Sequence, residues 1–441
     1  MFRQTAVALI FIASASNAHD RPAASVPIVA AATNPSPPVV VRQMILQEVR
    51  DKISQFYVFP DKRANLIAAI NAADAAGRFN NLTDAQFGDA LTNVMQDAVG
   101  DRHLALVFDP HWAADFASAP EGEDNAAFDA ELTAANFGIQ RTENLPGNIR
   151  YVRINAFGWV NDRTGQAYDG LMRFLRDGDA VIIDIRGNSG GDHNAVRYLV
   201  SHFLAADTLL YRFQSTRAAE NDSRALNNLP AGRMIGKPLY VLIDRRTVSA
   251  GEDLAYQVQQ YHLGTLVGSR TVGAANNNDY FLVGGQFRLS LSVGRPVHPV
   301  SHDNWEGAGI APDMDVPAAE AFDRAIIAAS DRLQMAENID PLRRMELRWS
   351  ADNARARLTP TAYDARALQR LVGQYGDYGI VWRDGRLWME MAQRDRLLLS
   401  PMAEPGLFAL TGRDFVRLRF TGNLLHVTRL GAPEDIIEVR R

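Results

Sequence analysis

Apolar residues recur at helical spacing through the first part of the chain, as Ile45, Val49, Ile53 and Tyr57, then Leu66, Ile67 and Ile70, then Phe87, Leu91, Val94 and Met95. Spacings of three and four place one stripe of side chains on one face of a helix. Phe59-Pro60 and Asn80-Asn81 interrupt the pattern, so a small helical domain is predicted over 41–104. The period then changes. Short β-rich runs (Ile149–Ile154, Ala180–Ile185, Leu239–Ile243, Gly264–Val267, Phe281–Val283, Phe287–Val293) alternate with helical patterns at Gly170–Arg176, Asn194–Phe203 and Gly251–Tyr261. That alternation predicts an α/β core over 105–340. From about Thr359 the segments become short and alternating, as in Gly379–Trp382, Leu387–Met391 and Phe415–Phe420, with turns at Asp384-Gly385 and Gly422-Asn423. A compact antiparallel β domain over 359–441 is the expectation, and no internal repeat is visible.

Composition narrows the function classes. The 441 residues carry a net charge of -5 with 47% apolar residues, which suits a soluble multi-domain protein and gives no basic stripe for nucleic acid. No internal apolar run is long enough for stable membrane insertion. Cysteine is absent, which removes disulfides, thiolate metal sites and cysteine nucleophiles together. At the N-terminus, Arg3, the apolar run Ala6–Ala13 and Ser16-Asn17-Ala18 read as a signal peptide over 1–18, followed by an Ala/Pro-rich linker over 19–40. An exported, periplasmic protein is expected.

Thr247-Val248-Ser249-Ala250-Gly251-Glu252 stands where the apolar strand Pro238–Asp244 turns into a helix. A serine there is either a helix cap or a hydroxyl beside backbone N–H groups that have no intrahelical partner and would stabilise a developing negative oxygen. Glu252, three residues on, has the place of a capping-box partner. A second strand-to-loop junction, Val181 to Gly191, ends in Gly187-Asn188-Ser189-Gly190-Gly191. It lacks the Lys-Ser/Thr of a phosphate loop, leaving a structural turn or a donor, Gly190 or Gly191, that joins Ala250 in an oxyanion hole. A serine nucleophile needs a base, and only Lys52, Lys62 and Lys237 are available as lysines, none after Ser249. Among the nine histidines, His103 in Asp101-Arg102-His103-Leu104 stands between the helical domain and a strand.

Taken in order, Asp101-x-His103, Phe137-Gly138-Ile139 with Leu145-Pro146-Gly147-Asn148-Ile149, Asp184–Gly191, Ser249–Glu252 with Leu266-Val267-Gly268, and Asn304–Asp313 resemble the C-terminal-processing (tail-specific) serine peptidases. The closest branch resembles interphotoreceptor retinoid-binding protein and the tricorn core protease, and the likeness spans roughly Val41 to Val316. It implies a crotonase-like ββα core within an α/β (α+β) chain. It also implies Ser249 as nucleophile, the Ala250 N–H as oxyanion donor with a second near Gly190, His103 as base and Glu306 as orienting carboxylate. The lysine of Ser/Lys members is replaced by Ala274, and the serine that can precede the histidine in the tricorn-like branch is Arg102. No segment between Val107 and Ala180 has the character of a peptide-clamping PDZ domain.

Other residues admit two readings. His298, His302 and Asp303 suggest a metal site or a solvated or pocket-lining loop, and no cofactor or metal is called for. Trp305 and Phe157 are candidates to line a substrate pocket, against ordinary core packing. Tyr375, Tyr378, Trp382 and Trp388 either bind a ligand or fill the small β domain. Two functions follow: a serine peptidase acting on peptide or unfolded protein, or a non-catalytic carrier of hydrophobic, retinoid- or lipid-like ligands on the same fold.

Overall fold

The computed structural model describes residues 39–118, 126–158, 161–359, 363–391 and 396–440, so the expected signal peptide and most of the linker lie outside the described residues. Helices α1 (Val39–Phe56), α2 (Pro60–Ala75) and α3 (Asp84–Val99) open the chain. Pro60 sits in the first turn of α2, where a missing N–H removes no helical hydrogen bond. At the start of α3 the Thr83 side chain accepts from the Gln86 N–H and the Gln86 side chain accepts from the Thr83 N–H, a reciprocal cap. The helix stops at Gly100, whose left-handed φ of 75° suits a residue without Cβ. The interiors of the helices bury Ile45, Val49, Ile53, Leu66, Ile70, Phe87 and Leu91, following the stripe read from the sequence.

The chain then forms β1 (Ala105–Phe108), α4 (Pro110–Ser118), α5 (Ala126–Ala134), the hairpin β2 (Ile139–Leu145) and β3 (Ile149–Ile154), α6 (Asp162–Arg176) and β4 (Ala180–Asp184). It continues through α7 (His193–Ser201), β5 (Leu209–Ser215), β6 (Asn221–Arg224), β7 (Leu239–Ile243), α8 (Ala250–Gln260) and β8 (Thr265–Gly268). Strands β9 (Asn277–Val283), β10 (Phe287–Val297) and β11 (Met314–Asp315) and helices α9 (Ala321–Gln334) and α10 (Pro341–Leu358) complete this part.

Two sheets result. The first has the order β11-β8-β7-β4-β3-β2, parallel from β3 to β11 with β2 antiparallel at one edge. Its central strands β4 and β7 are buried at every position, as expected where helices cover both faces. Leu254, Val258, Leu199 and Met172 cover one face, and Ala325, Ala329 and Leu347 of the two long helices cover the other. The second sheet, β1-β10-β5-β6 with β9 on β10, is antiparallel. Its apolar face, including Phe281, Phe287, Leu289 and Leu291, shares a single core with α1, α2 and α3. The N-terminal helices and this sheet are therefore packed as one layer pair, and the segment Asp101–Leu104 runs between them. Leu104 and Leu106, both buried, fasten that segment; burial of a leucine contributes roughly 1.5–3 kcal/mol.

From Gly373 to Arg440 eight antiparallel strands pair in sequence, and the last, Asp435–Arg440, closes on the first, Gly373–Tyr375. Tyr375, Ile380, Leu387, Phe408, Leu418 and Leu425 fill this barrel.

Candidate active site

Parallel strands β4 and β7 are hydrogen-bonded neighbours, so the loops leaving their C-terminal ends lie side by side, the usual place for a ligand crevice in such a sheet. The β4 loop carries Gly190 and Gly191, and the β7 loop carries Ser249. Asn188, wholly buried, joins them: its carbonyl accepts from the Val248 N–H at 3.0 Å and its side-chain oxygen from the Gly190 N–H at 2.9 Å. An added Cβ on Gly190 would stand 2.9 Å from the Ser249 Cβ and 3.3 Å from its Oγ. Glycine is required by that approach as well as by a φ of 92°.

Ser249 itself has φ 54° and ψ -119°, at the sharp turn into α8. A non-glycine residue there costs about 1–3 kcal/mol, and such turns present a side chain outward at a helix N-terminus. The Ser249 N–H is held by a Glu252 carboxylate oxygen at 3.0 Å. Glu252 also accepts from the Thr271 hydroxyl at 2.6 Å and from the Gly273 and Ala274 N–H groups at 2.6 and 2.9 Å, so it joins the Ser249 turn to the loop after β8. Its burial pushes its pKa up, against the four donors that pull it down. Ala274, the residue expected in place of the lysine of Ser/Lys members, is buried.

Ser249, Ala250, Gly191 and His103 line one cavity of about 350 Å³, together with Trp305, His193, Asp253, Tyr211, Tyr280 and Arg288. Among the described residues the Ala250 and Gly191 N–H groups have no acceptor, whereas the Gly190 N–H is taken by Asn188. Of the two glycines expected as donors, Gly191 is the one with a free N–H.

His103 is fixed from both sides. Its N–H donates to Asp101 Oδ1 at 2.9 Å, and its carbonyl accepts from the Ser290 hydroxyl at 2.6 Å. Nδ1 faces two carboxylates, Glu306 Oε2 at 3.8 Å and Asp101 Oδ1 at 4.0 Å. Burial pulls the His103 pKa down, but the neighbouring Glu306 and Asp101 charges outweigh it and the net direction is up. Glu306 is pushed up by burial and more than compensated by His103 and by the Ala275 and Asn276 N–H groups, which reach Oε2 at 2.6 and 2.9 Å. Asp101 is raised by burial and by the Glu306 charge, and its Oδ2 has no hydrogen-bond partner. Asp101, His103 and Glu306 are the one trio of His and carboxylate donors among the described residues close enough, within 4.8 Å, to share an ion.

The other candidates are placed differently. Trp305 lines the cavity and donates its indole N–H to the Ala274 carbonyl at 3.1 Å. Phe157 is fully buried in the core of the first sheet and does not line the cavity; only its backbone meets the site, taking the Asp192 N–H and donating to the Gly190 carbonyl. Phe157 lies three residues past the end of β3, and there the chain turns its ring inward, the core packing that was the alternative reading. His298 is enclosed by Tyr211, Tyr256 and Tyr261, and burial pulls its pKa down to about 4. It does not gather with His302 and Asp303 as a metal site. Tyr375 is core of the barrel, with Tyr378 and Trp382 packed against it. Three polar residues escaped the reading of the sequence, His193, Asp253 and Arg288, and Asp101 was quoted with His103 without a role of its own. The signals were present in Asp101 two positions before His103, and in Asp253 one helical turn after Ser249.

Residues 148–316 match peptidase family S41. A carboxyl-terminal-processing protease of Picosynechococcus sp. is 28% identical over 44% of this chain and 45% of its own length. A carboxyl-terminal-processing protease of Synechocystis sp. is 28% identical over 41% of each chain. The chain thus spans less than half the length of these curated relatives. Among solved structures, that of a putative peptidase from Parabacteroides merdae matches with a TM-score of 0.48 and 18% identity over 69% of this chain and 98% of that one.

Proposed function

We propose that this protein is a serine peptidase in which Ser249 attacks the peptide carbonyl, His103 takes its proton and returns it to the leaving amine, and Glu306 favours the imidazolium. The observation that carries the reading is the cavity shared by Ser249, on its strained turn, and His103, whose Nδ1 faces Glu306 at 3.8 Å without a hydrogen bond between them. With Nδ1 directed at carboxylates, Nε2 is the ring nitrogen left for the serine proton. The free N–H groups of Ala250 and Gly191 are the proposed oxyanion donors, and each such donor is worth about a hundred- to a thousandfold in rate. Water then attacks the acyl-enzyme by the same base, releasing the acid and restoring the Ser249 hydroxyl. The substrate is a peptide or unfolded chain segment. Export to the periplasm rests on Arg3, the Ala6–Ala13 run and Ser16-Asn17-Ala18, and N-terminal sequencing of the mature protein beginning at His19 would support it.

Intact-mass analysis after a fluorophosphonate tests the core of this reading. One adduct on the native protein, absent from Ser249→Ala and strongly slowed in His103→Ala, is expected. A folded native protein that stays unlabelled would overturn it in favour of the carrier of hydrophobic ligands.

A further inference from the structure

Along β10 the apolar residues Leu289 and Leu291 face the helices, so the alternate residues Arg288, Ser290 and Ser292 face the other way. Ser290 holds the His103 carbonyl and accepts from the Asn278 amide at 2.8 Å. Arg288 lies two residues along the same face, about 7 Å away at the rise of a strand. On the neighbouring strand its register partner is Val107 and that of Ser290 is Ala105, and all four residues line the cavity.

The Arg288 guanidinium is held in place by two rings and an ion pair that leave its hydrogen-bond donors unfilled. It lies over the rings of Tyr280 at 5.2 Å and Trp112 at 5.7 Å, and its side chain is only 12% exposed. Its ion partner is Asp109 at 3.6 Å, beyond hydrogen-bond reach, and Asp109 uses its other oxygen to cap the Trp112 N–H at 3.0 Å. Among the described residues the guanidinium makes no hydrogen bond, although it carries a fork of five donors suited to a planar carboxylate. The exposed side chain of Arg102 adds a second positive group to the same cavity wall. At the other end, beyond Gly191, the lining is His193, Tyr211 and Phe213.

Building on the peptidase reading, we infer that Arg288 is a specificity residue that receives a carboxylate of the substrate in a bidentate pair, within about two residues of the bond presented to Ser249. The rings fix the plane of the fork, so the pair forms without the entropy loss of a free arginine side chain. An α-carboxylate at a chain end and the side chain of an aspartate or glutamate supply the same chemistry.

Binding to the folded Ser249→Ala protein tests this without requiring turnover. Three fluorescein-labelled hexapeptide pools of the same randomised composition are compared by anisotropy: free carboxylate at the end, amide at the end, and amide with aspartate fixed at the penultimate position. One acidic pool, or both, should bind about tenfold to a hundredfold tighter than the plain amide, the range of a charged hydrogen-bonded pair. A preference for the first pool alone identifies a chain end, and for the third an acidic side chain. Arg288→Met, which keeps the stem between the rings, should abolish the preference, and Arg288→Lys should restore only part of it. Equal binding of the three pools, or a preference that survives Arg288→Met, overturns the inference. Fluorophosphonate labelling of the Arg288→Met enzyme, with a probe that carries no carboxylate, checks alongside that the variant is folded with a reactive Ser249. Loss of labelling in the native enzyme counts against the peptidase reading, whereas pool-independent binding counts against Arg288.

Discussion

His193 Nδ1 lies 2.6 Å from Asp253 Oδ2. His193 opens the helix that follows Gly190-Gly191, and Asp253 stands one turn into the helix that follows Ser249, so this contact joins the two loops that carry the proposed oxyanion donors. Both partners are held in turn, His193 Nε2 by the Ser223 hydroxyl at 2.7 Å and Asp253 Oδ1 by the Tyr211 hydroxyl at 2.8 Å. His193→Ala is therefore expected to lower kcat by about tenfold to a hundredfold with KM changed much less, a fraction of the loss of a whole oxyanion donor. His193→Asn, which can keep the hydrogen bond to Asp253, should recover part of the loss. Steady-state kinetics on any peptide the enzyme cleaves would check this, and an unchanged kcat in His193→Ala would remove the contact from the mechanism.

The pH profile carries a second expectation. With the His103 pKa raised by Glu306 and Asp101, the base is protonated and idle on the acid side, and kcat/KM rises as pH passes the His103 value. In Glu306→Gln, burial is left with less opposing charge, so the His103 pKa falls and the acid limb moves to lower pH while the maximal rate drops. The linkage to stability has the same origin. The raised His103 contributes stability that is full below its unfolded value of about 6.5 and is lost as pH rises through the folded value. The depressed Glu306 contributes stability present above its unfolded value of about 4.3 and lost as pH falls through the folded one. Thermal unfolding against pH should show the Glu306→Gln penalty largest between those two values.

Gly190 gives a steric test. Gly190→Ala places a methyl within 2.9 Å of the Ser249 Cβ, at a φ that an L side chain rarely adopts. The fluorophosphonate labelling rate is expected to fall at least about tenfold, in keeping with a displacement of the reacting geometry by a fraction of an ångström. Labelling at the native rate on folded protein would place Ser249 outside the reacting geometry drawn here.

How legible the protein was depended on how local each signal is. The N-terminal helices were readable because Ile45, Val49 and Ile53 repeat at a helical period, and Ser249 and His103 because each stands in a short ordered motif. Helix α10 was not read: five arginines are spread along it, and its buried residues Leu347, Trp349, Ala351 and Ala354 do not form a conspicuous stripe until α9 and the barrel are placed beside it. Asp253 and Arg288 were missed for a different reason. Their meaning comes from His193 and Trp112, which only the tertiary fold brings into contact. The strands from Phe281 to Val293 were recognised, but nothing local in them says that they complete the core of the N-terminal helices.

Glu252 sets the last prediction, because it separates support of the site from chemistry within it. Its carboxylate is wholly buried and receives four donors, from Ser249, Thr271, Gly273 and Ala274. Glu252→Ala leaves all four without that acceptor in a region closed to water, and each unpaired buried donor costs about 1–3 kcal/mol. A loss of at least about 3 kcal/mol is expected, enough to lower the unfolding midpoint by several degrees or to prevent folding. Glu252→Gln keeps one acceptor oxygen but turns the other into a donor facing N–H groups, so it should be intermediate in stability. If Glu252 acts only as this tie, the Gln variant should label with fluorophosphonate more slowly than the native enzyme while keeping the acid limb of the pH profile where His103 and Glu306 put it. A shifted acid limb would instead make Glu252 part of the proton chemistry, consistent with its charge being felt at His103.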